Sequence, residues 1–485
     1  MGLRAQESPG EALPVLEHTL ENGLRLFILP RSGAPTVSFV VQYRIGSVNE
    51  TPGLTGIAHF LEHLFFKGTT TIGTTSFDAE APLLVELDAV HDSILVERGR
   101  DAPDSLRLER LAARANDLAA EASSYVISNE FDAILSENGA RNLNATTSSE
   151  TTSYFVELPS NRAELWFILE ADRMRNPVFR EFYTERDVVA EERRLRLETN
   201  PSGLLYEAHL REAFRVHPYG APVVGTMEDL QGLTRRDVED YFRRFYGPNN
   251  AVVAIVGNLD PARIREWAEK YLAPIPPGQV PPDVDVKEPE QTRERRVEVV
   301  FDAEPSLRIG WKTPPATHED APALAMLASI LTGGRSSRVY RRLVLEDRIA
   351  TSVTSGTGPG SLYPGLFSIE AFPRSPHTHL EVEAAIYEEL ERLKETPPRE
   401  IELQRVRNQL EASDVRRLSS NFGLAVQIAN SETLHGRWEK TFSFTGAMED
   451  VTAEDIQRVV RKYFRKDQRT VAVLVRETTE KGGGG

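Results

Sequence analysis

The sequence predicts an α+β fold built from two duplicated α/β-sandwich domains, each a mostly antiparallel sheet flanked by helices. Three observations carry this. A chain of 485 residues exceeds one ordinary hydrophobic core. One helix–turn–strand segment occurs twice, once in each half. A stretch rich in proline and acid separates the two copies.

The repeat pairs LTRRDVEDYFRRFYGPNNAVVAIV, from Leu233 to Val256, with VTAEDIQRVVRKYFRKDQRTVAVLV, from Val451 to Val475. Thr234 stands with Thr452, Asp237 with Asp455, Phe245 with Tyr463, and VVAIV with VAVLV. Each copy opens on a threonine N-cap signal, continues with apolar residues at helical spacing and ends in a β-branched strand. The separation is far longer than the roughly 20–50 residues of solenoid repeats, so it indicates a duplicated domain. The starts of the halves agree as well. TVSFVVQYRIGS (36–47) reads as a strand, followed by the helical GLTGIAHFLEHLFFKG; SLRIGWKTP (306–314) is followed by APALAMLASILTGG.

PIPPGQVPPDVDVKEPEQTRE (274–294) has successive prolines, which stop helices and favour extended chain. It is expected to link an N-terminal domain, 1–273, to a C-terminal one, 295–485. Within the first half, residues 76–124 read as an inserted antiparallel helical hairpin. Leu83, Leu84, Leu87, Val90, Ile94 and Leu95 form one apolar stripe; Leu106, Leu108, Leu111, Ala115 and Leu118 form the other. Packing within the chain, a partner surface and a chamber lid are the three uses for these stripes.

Composition narrows the function. There is no cysteine, so disulfides and thiolate metal sites are excluded and any metal must be held by His, Asp or Glu. A net charge of −16 argues against a nucleic-acid partner, which requires a basic face. No run reaches the roughly 18 apolar residues of a membrane span. No basic segment followed by an apolar one opens the sequence, so no signal peptide is expected in this chain. A cytoplasmic protein and a periplasmic one with its signal removed both fit.

The stretch HFLEHLFFKGT (59–69) is unusual. In a helix His59 and His63 lie on one face, about 6 Å apart at Cβ, where two imidazoles can bind one Zn²⁺. Glu62 would flank the metal, placed to take a proton from a metal-bound water. This H-x-x-E-H order is the inverse of H-E-x-x-H. An ordinary amphipathic helix can carry the same letters, but here the surroundings are apolar and three polar residues need a purpose. The matching helix of the second half has Leu, Ala or Ser instead, which argues against a need for them in the fold.

A two-histidine site needs a third ligand. TERDVVAEERRLRLETNP (184–201) reads as a helix capped by Thr184, with Val188, Val189 and Leu195 as its apolar stripe. Glu185 and Glu192 lie two turns apart on one face. One could ligate the metal while the other holds a histidine N–H; a Glu/Arg-rich helix can equally be a solvated surface.

Taken together these residues resemble the insulinase/pitrilysin-like zinc peptidases, which include mitochondrial processing peptidase-type subunits. HFLEHLFFKGT is similar to the H-x-x-E-H element of that family, ARNLNATTSSETTSYFVELP (140–159) to its N-A-x-T strand, ERDVVAEE to its E-R-x-V-x-x-E helix, and LTGGRSSRVYRRL (331–343) to a helix start in the second half. The resemblance spans nearly the whole chain. It implies His59, His63 and Glu192 as Zn²⁺ ligands, Glu62 as general base, and Glu185 as the residue supporting a histidine. It also implies that an extended peptide pairs with the strand at Asn144, Ala145 and Thr146 by β-augmentation inside a closed chamber.

Two departures stand out. His63 and Glu192 are 129 positions apart, wider than the family's usual spacing of about 75; the helical hairpin accounts for the excess. Active members also carry an Arg and a Tyr seven residues apart in the second half, where LVLEDRIATSV (343–353) places Val344 and Thr351. The resemblance therefore implies a zinc endopeptidase subunit that acts on unfolded peptides. It would be completed by a homologous partner supplying the Arg/Tyr pair as a heterodimer, with a homodimer as an alternative. Arg342 or Arg348 could substitute after a small shift. A non-catalytic scaffold or peptide-binding subunit is the competing reading.

Overall fold

β-branched and aromatic runs of the first half assemble into a six-stranded sheet. In the computed structural model, which describes residues 13–476 without the side chains of 441–445, its strands are β1 (Leu16–Thr19), β2 (Arg25–Pro30), β3 (Thr36–Tyr43), β4 (Arg141–Thr147), β5 (Thr152–Pro159) and β6 (Ala251–Gly257). Their order is β1-β2-β6-β3-β5-β4. β2 and β6 run parallel and every other neighbouring pair is antiparallel. Every residue of β6 is buried, as expected of a strand covered on both faces, whereas β5 alternates buried and half-buried positions. β4 is the edge strand, with the side chains of Asn144 and Thr146 exposed and Ala145 buried.

Helices α1 (Ile57–Leu64), α2 (Phe77–Arg98), α3 (Ser105–Ser123), α4 (Glu130–Glu137), α5 (Ala163–Arg175) and α6 (Phe182–Arg193) belong to the same half. α5 lays Trp166 flat on Phe39 of β3, ring centroids 4.5 Å apart. The expected hairpin is α2 and α3, joined at 99–104. Leu87, Ile94, Ala115 and Leu118 are buried between them, with Leu83, Val90, Leu108, Leu111 and Tyr183 packed alongside. Leu106 departs from its expected stripe and is 68% exposed, because it lies in the first turn of α3, outside that cluster.

The second half forms a five-stranded sheet: β7 (Arg295–Val300), β8 (Ser306–Thr313), β9 (Ala350–Gly358), β10 (Gly365–Pro373) and β11 (Arg469–Val475), in the order β7-β11-β8-β10-β9. The single parallel pair is β7 with β11, the counterpart of β2 with β6. The duplication is therefore present in topology as well as in sequence. Thr234 and Thr452 each form a capping box, with Asp237 and Asp455 respectively. The strands following those helices are offset by the same number of residues as the helices themselves. VVAIV consequently matches TVAVL, one residue earlier than the apolar strings suggest.

The chain divides into two compact units that do not follow sequence order. The first runs through Glu191 and takes in Val223–Asp283 and Ser420–Trp438; the second comprises Glu192–Pro222, Val284–Ser419 and the chain from Glu439 onward. In the first, helix Asn421–His435 packs on β6 and β3. Arg25 pairs there with buried Glu432, and Trp438 Nε1 donates to Glu17 at 2.8 Å. In the second, α7 (Pro201–Ala213) packs on β7, β8 and β11. Alternate residues of β11 serve two cores: Val471 and Val473 face the main helical layer, while Ala472 and Leu474 face Leu205 of α7. No helix among the described residues is long and apolar enough to cross a membrane.

Candidate metal centre

α1 follows a turn that only glycine can make. Gly56 sits at φ 88°, and a Cβ there would lie 2.5 Å from Val224 O. Glu50 reaches back to accept from the backbone N–H groups of Gly56 and Ala58, at 2.8 and 2.9 Å, closing the helix N-terminus. Burial pushes the Glu50 carboxyl up to about 8, against those two hydrogen bonds. The apolar residues of α1 point into the core: Ile57, Ala58, Phe60, Leu61 and Leu64 are all buried. His59 and His63 are left on one side, ring centroids 4.9 Å apart.

α6 brings the carboxylates. It begins at Phe182, after Glu181 at φ 55°, so Thr184 lies within the helix instead of capping it. Its expected apolar stripe reduces to Val189, which is fully buried, while Val188 and Leu195 are 49% and 61% exposed. Phe182 at the start of the helix is also buried, its ring centroid 4.9 Å from that of Phe60, and polar contacts hold the helix besides. Glu185 Oε1 accepts from His63 Nδ1 at 3.0 Å, and Glu185 Oε2 pairs with Lys67 Nζ at 2.6 Å. The His63 hydrogen bond is the largest of the effects that hold the Glu185 carboxyl down near 2. Lys67 loses some basicity to burial, but Glu185 and Glu181 raise it overall.

Glu192 stands in the last turn of the same unbroken helix, seven residues after Glu185. His59, His63 and Glu192 each offer a ligand atom, and these atoms lie within 4.8 Å of one another. Two ligands about 2.1 Å from one ion stand at most about 4.2 Å apart, so side-chain adjustment suffices for coordination. With Nδ1 of His63 given to Glu185, Nε2 is the atom it could offer to a metal. Two imidazoles and a carboxylate match the donor set of a catalytic zinc site, in which a fourth position takes water or substrate. Arg196 Nη1 also contacts Glu192 Oε1, at 2.8 Å.

Glu62 lies on α1 between the histidines, and Thr147 Oγ1, at the end of β4, donates to its Oε2. α1 packs against β4, which places Asn144, Ala145 and Thr146 on the edge strand nearest this helix. Lys67, Thr147 and Glu50 are site residues that the sequence reading missed. Lys67 was within reach of it, since it continues the four-residue spacing of His59 and His63.

The segment after α1 is anchored by Arg180. Its Nε and Nη2 donate to Glu80 of α2 at 2.9 and 3.3 Å, its Nη1 to Lys67 O and Ile72 O at 2.7 and 3.1 Å, and its Nη2 to Thr69 O at 2.8 Å. In the second unit Val344 is buried, Thr351 Oγ1 donates to Phe372 O, and Arg342 pairs with Asp347 and Glu388 while donating to Ala385 O. Arg348 stands at φ 56°.

Comparison with known proteins agrees with this architecture. The family model for insulinase (peptidase family M16) matches residues 26–82 and 115–227, and that for the peptidase M16 inactive domain matches 232–410. The break in the first match falls within the α2–α3 hairpin. Zinc protease PqqE of Helicobacter pylori is 28% identical over 469 residues, covering 94% of this chain and 91% of that protein. The uncharacterized zinc protease YmxG of Bacillus subtilis is 23% identical over 464 residues, covering 93% and 96%. Among solved structures, a protease from Helicobacter pylori matches with a TM-score of 0.79 at 26% identity, covering 96% of this chain and all of that one (100%). An M16-like peptidase from Alicyclobacillus acidocaldarius shares the fold, with a TM-score of 0.70 at 19% identity, over 96% and 100%. With M16 models matching in both halves and relatives aligned along almost the whole chain, this protein belongs to the insulinase family of peptidases, M16.

Proposed function

We propose that the chain is a zinc metalloendopeptidase subunit that hydrolyses unfolded peptides. The gathering of His59, His63 and Glu192 around one point, with Glu62 on the same helix as the histidines, is the observation that carries this. The three residues would hold Zn²⁺, which supplies a Lewis acid and lowers the pKa of a bound water. Glu62 takes the proton of the attacking water and returns it to the leaving amine. Glu185 fixes the ring of His63 through Nδ1, and Lys67 holds Glu185 from its other oxygen. The open edge of β4 offers backbone groups at Asn144, Ala145 and Thr146 to an extended peptide, a mode that tolerates many sequences.

A homologous partner would complete the site and close the chamber. Val344 and Thr351 can provide neither a cation nor a phenol, and the guanidinium of Arg342 is already engaged by two carboxylates and a carbonyl. Loss of one oxyanion donor costs about 10²–10³ in rate, which a heterodimeric partner carrying an Arg/Tyr pair would restore. A homodimer is the simpler assembly to test beside it.

The test is hydrolysis of a mixed peptide library by zinc-loaded protein, alone and with candidate partners, using Glu62→Gln as the blank. Cleavage that disappears in Glu62→Gln is the expected result. Full cleavage in that variant would refute the role of Glu62. Bound zinc unchanged in Glu192→Ala would refute the third ligand. Absence of zinc together with absence of cleavage would favour a non-catalytic scaffold.

A further inference from the structure

We infer that Thr147 is a positioning residue for Glu62, fixing which carboxylate oxygen acts as the base. The inference rests on the peptidase reading above.

A glutamate carboxylate turns easily about its last torsion, where the energy wells are broad. A base that must meet a proton within about 3 Å loses rate when its two oxygens wander. Here one oxygen is held. Thr147 Oγ1 donates to Glu62 Oε2, and a hydroxyl-to-carboxylate bond belongs to the strong, charge-assisted class. A hydroxyl has one hydrogen, and here it is spent on Glu62, so Thr147 has none to donate to a substrate carbonyl. Glu62 also has buried phenols nearby. The buried phenols of Tyr154 and Tyr246 lie close enough to feel its charge, and Tyr154 is the residue across the ladder from Ala145. Accepting that hydrogen bond makes Oε2 the less basic oxygen, so Oε1 is the one assigned to the chemistry. The O–H bond of water breaks and its proton goes to Oε1, while the oxygen's electron pair forms the bond to the carbonyl carbon. When the C–N bond breaks, its electron pair stays on nitrogen, which takes the proton from Oε1.

Thr147 is also the last residue of β4, directly after Thr146. One strand would therefore set the register of the bound peptide and aim the base. In the sequence Thr147 is one of four threonines in NATTSSETT and closes the N-A-x-T element, but its spacing from Glu62 gives no sign of their contact.

The experiment compares Thr147→Val, which keeps the shape and loses the donor, with Thr147→Ser, which keeps the donor. Thr147→Val is expected to lower kcat about 10–100-fold with KM within about twofold, consistent with the 10²–10⁴ that general acid–base catalysis supplies. Thr147→Ser should stay within about threefold of wild type, and both should bind zinc as wild type does. A readout independent of turnover comes from crystals of the two variants, in which the Glu62 carboxylate should be spread over orientations in Thr147→Val and single in Thr147→Ser. Unchanged kcat in Thr147→Val, equal losses in both variants, a KM effect alone, or an unmoved Glu62 in the Thr147→Val crystal would each overturn the inference. An active Glu62→Gln enzyme would instead remove the reading on which it rests.

Discussion

Arg180→Met should be among the most destabilising single changes in the first unit. The Arg180 side chain is 1% exposed and its partner Glu80 is 0% exposed. The substitution removes five hydrogen bonds, leaving a carboxylate buried without its cation and the carbonyls of Lys67, Thr69 and Ile72 without this donor. Breaking a buried pair from one side costs about 3–5 kcal/mol, because the remaining charge has lost its compensation. The surrounding chain has little room to adapt. Gly68 and Gly73 stand at φ 99° and 85°, and a Cβ on either would come within 3.0 Å of the guanidinium. Urea unfolding followed by tryptophan fluorescence suits the measurement, because Trp166, Trp267 and Trp438 all lie in the first unit. The first transition should lose about 3–5 kcal/mol. Adding Glu80→Leu to Arg180→Met should recover at least about half, since a buried pair replaced on both sides by apolar groups is often nearly neutral. A loss under about 1 kcal/mol, or a double variant weaker than the single one, would refute the argument from uncompensated charge.

Glu185→Ala should weaken zinc binding about 10–100-fold, measured by competition with a chromophoric chelator, because His63 loses the acceptor that fixes its ring; unchanged affinity would rule out that support. Lys312 lies 3.3 Å above the Phe214 ring, and its pKa is pulled down to about 7, chiefly by burial, with Arg295 adding and Glu288 opposing. Since its unfolded value is about 10.4, the unfolded chain binds the extra proton between those limits. Stability should therefore rise with pH from about 7 to 10, by up to about 1.4 kcal/mol per unit, and Lys312→Met should lose that slope. Parallel stability profiles for the two proteins would show that Lys312 does not titrate there.

The parts of the fold that follow from local rules could be read from the chain. The capping boxes at Thr234 and Thr452, the β-branched strands and the hairpin stripes each need only neighbouring residues. The pair His59 and His63 was legible for the same reason, since spacing on one helix sets their geometry. What escaped depends on distant partners. The N-terminus of α6 is set by the left-handed turn at Glu181, which leaves no mark in composition. Val188 is half exposed and Leu195, beyond the end of α6, is exposed, while Phe182 and Val189 are the buried apolar residues of that helix. Thr147 meets Glu62 only once β4 lies against α1, and no spacing rule connects positions 62 and 147.

The crossing of sequence between the two units changes what a piece of this protein could be. A fragment ending near residue 283 would lack the helix Asn421–His435 that covers β6 and β3, and a fragment starting there would lack α7 over β7, β8 and β11. Each would offer a bare apolar sheet face to water or to its neighbours. A nick within 276–292, where no helix or strand is formed, would by contrast keep both pieces present, so each sheet could retain the covering helix that the other piece carries. Duplication supplied two similar sheets; exchange of helices made the two halves of the sequence inseparable, so that neither can be inherited, expressed or degraded as a finished module.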